Sequence, residues 1–96
     1  MDFTSVVFSG HAVRRMFEWG IRRDEVLEVL REGEVIAEYP EDKPFPSCLV
    51  LGLTAGRALH VVAALDHEME TCHIMTAYPP EDPARWRENF KTRRRP

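Results

Sequence analysis

The sequence predicts an α+β fold: a single domain in which a two-helix hairpin packs on an antiparallel sheet of about four strands, with a short C-terminal helix. Three observations lead there. Two consecutive stretches, Ser9 to Gly20 and Arg22 to Arg31, carry apolar residues at the three- and four-residue spacing of a helix face. Three later stretches, Ser47 to Thr54, Arg57 to Asp66 and Glu70 to Tyr78, are apolar and β-branched and are joined by links short enough for antiparallel neighbours. Finally, 96 residues, 44% hydrophobic and 30% charged, suffice for one core and leave no material for a second domain.

Each element has its own signal. Phe3 to Phe8 is apolar but alternates poorly, so it reads as a strand or as an extended lead into the first helix. That helix opens on Ser9, whose hydroxyl can accept from a free backbone N–H, and stops at Gly20, which can adopt the left-handed conformation. Ala12, Val13, Met16 and Phe17 fall on one side and are expected to seat it on the core, while His11, Arg14, Arg15 and Glu18 form the polar side. In the second helix Val26, Leu27, Val29 and Leu30 are apolar, and Gly33 ends it.

Glu34 to Tyr39 is a short strand. Pro40 to Pro46 holds three prolines and three charged residues, which oppose strand pairing and make an exposed connector. Tight turns are expected at Ala55-Gly56 and around His67 to Met69. The unbroken apolar run Val61 to Leu65 implies that both faces of its strand are covered. Pro79 and Pro80 end the sheet, a last helix starts near Asp82 and runs through Trp86 and Phe90, and residues 91–96 read as a flexible basic tail.

Several function classes lack their signatures. A net charge of -3 gives no general attraction to nucleic acid or to acidic membranes. No apolar run is long enough for a membrane span and no leader pattern opens the chain, so Cys48 and Cys72 read as free thiols of a cytoplasmic protein. The Walker-type phosphate loop and the Gly-x-Ser-x-Gly elbow are both missing. Cys72 and His73 point to opposite faces of a strand and His67 lies near a turn, so no metal site and no cofactor is expected.

Two groups of residues could carry chemistry. His11, Arg14 and Arg15 offer a titratable imidazole and two permanent charges suited to a phosphate, and the competing reading is a solvated helix face paired with Glu18. His60 sits in an otherwise apolar strand, where an imidazole needs a hydrogen-bond partner or a cleft. With the turn near residue 68, His60 is expected beside Thr76, with Tyr78 further along the same face. Trp19, at the end of the first helix, is a candidate for base stacking.

The segments Ser9-x-His11-Ala12 with Arg15-Met16, Gly20-Ile21, Leu59-His60-Val61 and Ile74-x-Thr76-Ala77-Tyr78 together resemble a prokaryotic family defined as domain of unknown function 4258. Its members resemble the compact toxin fold of the RelE/ParE type, two helices on an antiparallel sheet, some of whose relatives cut messenger RNA while others have no nuclease activity. The resemblance places the recurrent polar residues on His11, Arg15, His60, Thr76 and Tyr78. This chain has Trp19 and Arg22 where the family pattern commonly has Arg and Ser.

What the resemblance implies is a toxin or toxin-derived, metal-independent RNA endonuclease of the RelE-like type. His11, Arg15, His60 and Tyr78 would be catalytic, and Arg14, Thr76 and Trp19 would bind RNA. Its partners would be RNA or the ribosome and a small antitoxin protein, with no membrane involved. The alternative from a different class is a noncatalytic module that uses the same polar face to bind a protein.

Overall fold

The computed structural model describes residues 3–80. The expected last helix and basic tail lie outside the described residues. Seven elements follow in the order β1 (Ser5–Phe8), α1 (Gly10–Trp19), α2 (Arg23–Glu32), β2 (Glu34–Tyr39), β3 (Ser47–Thr54), β4 (Arg57–Asp66) and β5 (Thr71–Tyr78). They make two helices on a five-stranded mixed sheet of order β1-β5-β4-β3-β2.

The sheet corrects the expectation of about four antiparallel strands. β2, β3, β4 and β5 form the antiparallel meander, and β1 adds a fifth strand parallel to β5, with Ser5 opposite Thr71 and Phe8 opposite Ile74. The parallel pairing is a long-range event: α1 and α2 carry the chain from β1 to β2 at the far edge of the sheet, and the meander from β2 to β5 brings it back beside β1. Nothing within Ser5–Phe8 encodes it.

α1 is bounded by the chemistry read from its ends. Ser9 Oγ accepts from the Ala12 N–H at 3.0 Å, and Gly20 is left-handed at φ 61°. Its buried stripe is narrower than expected, with Ala12 and Met16 inside and Trp19 half-buried against the core. Val13 is 55% and Phe17 88% exposed, which overturns their assignment to the core-facing side. The cause is geometric: a helix seated along residues 12, 16 and 19 carries 13 and 17 on its flank.

Both helices cover one face of the sheet. Val26, Val29 and Leu30 of α2 join Ala12 and Met16 over Val50, Leu59, Val61, Ala63, Cys72, Ile74 and Ala77. α2 approaches β3 so closely that a Cβ at Gly52 would lie 2.8 Å from Val29 Cγ2 and 3.1 Å from its Cα. At the β3–β4 hairpin, Ala55 and Gly56 are both left-handed, at φ 51° and 78°, as a two-residue turn of this hand requires. The opposite face is covered at its centre too, since Leu49, His60 and Ala64 are buried. There the Pro40 to Pro46 connector sends Phe45 onto His73, the rings stacked at 5.2 Å.

Candidate functional site

His60 projects from the face opposite the helices, because its neighbours Leu59 and Val61 both point into the helical core. Its cross-strand partner is Tyr78, not Thr76, which pairs with Val62. The ladder is regular from Asp66↔Thr71 to Ala63↔Ile74, then skips Met75. That extra residue is a β-bulge. Without it His60 would face Ala77, and Tyr78 would point into the helical core. With it, the His60 and Tyr78 rings meet edge to face at 5.5 Å.

The bulge also receives the start of α1. Ser9 N–H donates to the Ile74 carbonyl at 3.0 Å, and Ser9 Oγ donates to the Met75 carbonyl at 3.0 Å. Helix α1 thus begins against the bulged strand, with His11 in its first turn. His11 and Arg14 are exposed and Arg15 is half-buried. Arg15 follows His11 by four residues and so lies on the same side of the helix.

The far end of α1 is fixed from β4. Arg57 Nη1 donates to the Trp19 carbonyl at 3.0 Å and Nη2 to the Gly20 carbonyl at 3.1 Å. The same guanidinium lies 3.8 Å from the Glu25 carboxylate, which is almost fully buried. Glu25 also accepts from the Arg22 N–H at 3.0 Å. An Arg at this cap position has no acceptor of its own, so the carboxylate three residues on supplies the local bond. Trp19 is half-buried, with its Nε1 among the buried atoms.

The structure therefore joins His60 directly to Tyr78 on one face of the sheet, and it places α1, with His11 and Arg15, on the other face, tied to β5 at one end and β4 at the other, so the two pairs do not share a face. Thr76, half-buried, shares the face of His60 and Tyr78 through its pairing with Val62. Sequence reasoning missed three supporting features: the second bond of Ser9, the Met75 bulge and the reach of Arg57. Only Ser9 had a local signal, as a helix cap.

Other reactive groups serve the core. The Cys72 thiol is pushed up from 9.0 to about 11, first by burial and then by the nearby Cys48. Cys48 is raised as well, by burial and by Glu38. Both favour the protonated, unreactive thiol. Among the described residues no three His, Cys, Asp or Glu side chains converge as metal ligands, and no helix is long and apolar enough to cross a membrane.

A family model described as Domain of unknown function (DUF4258) matches residues 8–79, from the last residue of β1 through the end of the sheet. The chain belongs to the DUF4258 family. The matched span holds the whole arrangement from Ser9 to Tyr78. Comparison with curated proteins and with solved structures gives no match.

Proposed function

We propose that this DUF4258 domain is a RelE-like, metal-independent RNA endonuclease, toxin or toxin-derived. The observation that supports this reading is the Met75 bulge, one irregularity that both anchors the helix carrying His11 and turns Tyr78 onto His60. In the reaction, the RNA 2′-hydroxyl attacks the adjacent phosphorus and the P–O5′ bond breaks, leaving a 2′,3′-cyclic phosphate and a free 5′-hydroxyl. His11 is exposed and accepts or returns the proton. Arg15 offsets charge on the phosphoryl oxygens, with Arg14 holding a neighbouring phosphate. Tyr78, on the sheet face opposite α1, stacks on a base of the bound strand and does not meet the reacting phosphate. His60, fully buried, is a positioning residue for the Tyr78 ring. Thr76, beside Tyr78 on that face, contributes to RNA binding, whereas Trp19 is half-buried against the core and seats the end of α1.

The test is cleavage of a short RNA, and of the same strand with a single deoxyribose at the scissile position, alone and on translating ribosomes. The reading predicts a cyclic phosphate product from the RNA and none from the deoxy-substituted strand. Cleavage of both strands would contradict it.

A further inference from the structure

α1 turns a second surface to solvent, on the flank that the core does not use. Val13 and Phe17 stand more than half exposed there. Beside them an open groove of about 380 Å³ is lined by Phe8, Val13, Met16, Phe17, Ile21 and Arg23. Leaving a Phe ring in water forgoes the burial that ordinarily stabilises a fold, and contiguous exposed apolar surface marks an interaction site.

We infer that this groove binds a segment of a separate protein that presents apolar side chains flanked by carboxylates. Charge selects that occupant. Arg23 closes the groove, with its guanidinium 5.6 Å over the Phe8 ring. Among the described residues Arg23 forms no ion pair, and the neighbouring Asp24 and Glu25 engage Arg22 and Arg57. A carboxylate on an incoming segment would meet the Arg23 guanidinium at the rim of an apolar slot.

The other occupants fit less well. A second copy placed groove to groove offers Arg23 no carboxylate, since the lining contains none. The chain's own residues 81–96 contain six basic and three acidic residues, the wrong sign for this rim. RNA would meet a slot of hydrocarbon walls, which suits side chains better than phosphates.

The test uses the ¹⁵N-labelled full chain and a synthetic amphipathic peptide of about 14 residues with Leu at i, i+4 and i+7 and Glu on the flanks. The controls are the same peptide with Lys in place of Glu, and poly(U) RNA. Amide shifts centred on Phe8, Val13, Phe17 and Ile21 are expected with the Glu peptide, whose Kd rises about 30-fold in Phe17→Ala. The Lys peptide binds at least about tenfold more weakly, and the Arg23→Glu variant reverses that preference. Four results would each overturn the inference: no shifts at the groove, equal binding of the two peptides, the same shifts with poly(U), or a groove already occupied in the free chain. Occupation would show as proton contacts from Trp86 or Phe90 to Phe17, or as a dimer that Phe17→Ala dissociates. RNA cleavage by Phe17→Ala is unchanged, so failure here and failure of the nuclease reading are distinguishable.

Discussion

Tyr78 meets His60 edge to face, at 5.5 Å between ring centroids, only because Met75 is looped out of the β4–β5 ladder three residues earlier. The carbonyl of that same Met75 accepts the hydroxyl of Ser9, at the mouth of α1. One backbone irregularity therefore sets a side-chain pair on one face of the sheet and a helix start on its edge.

Ser9 consequently does more than cap a helix. Ser9→Ala removes the acceptor for the Ala12 N–H and the donor to the Met75 carbonyl. The expected loss is about 1 to 2 kcal/mol, at the upper end for a cap because two bonds go. Urea unfolding of the two proteins measures it.

The flank position of Phe17 gives a sharp contrast in stability. Phe17→Ala shifts stability by no more than about 0.5 kcal/mol, as surface substitutions do. Ile74→Ala, at a fully buried position of β5, costs about 2 to 5 kcal/mol. Urea midpoints for both variants check the face assignment of α1.

Much of the fold is legible in the sequence where the signal is local. Ser9 and Gly20 bound α1 through cap chemistry, and Ala55-Gly56 closes the β3–β4 hairpin through backbone conformation. Phe17 was not legible, because four apolar residues cover more of the α1 surface than the sheet uses, and only the lie of the helix decides which are covered. The β1–β5 pairing and the Met75 bulge were not legible either, since both depend on partners distant in the chain. The candidate site was half visible: the residue types stood out, while the bulge that relates His60 to Tyr78 left no mark in the composition of β5.

Close approach of α2 to β3 makes Gly52 a packing residue. Its added methyl in Gly52→Ala would press on both Val29 methyls and the Val29 backbone. The expected cost is about 1 to 3 kcal/mol, as for other overpacked cores. Gly52→Ala combined with Val29→Ala recovers part of that loss if the clash is its cause, and thermal unfolding of the single and double variants reads it.

Cys72 gives the stability a pH dependence with a defined sign. Its thiol is held protonated up to about 11 in the folded chain, whereas the unfolded thiol titrates near 9.0. Between those values the unfolded state binds fewer protons than the folded one, so stability falls as pH rises. The contribution is intact below pH 9.0 and is lost toward about 11. Unfolding measured across that window should show a shallower decline in Cys72→Ala than in the unaltered protein, whatever the variant's starting stability.

The measurement that bears most directly on the nuclease reading is the RNA cleavage rate of His11→Ala beside the unaltered protein, on free RNA and on translating ribosomes. His11 is exposed on α1, so this substitution leaves the urea midpoint in place and isolates the chemistry. The account predicts metal-independent cleavage by the unaltered protein and a fall of about 10²- to 10⁴-fold in the variant, the range for loss of a general acid or base. No cleavage in either setting, or an undiminished rate in His11→Ala, would contradict it and leave the noncatalytic protein-binding module as the reading to pursue.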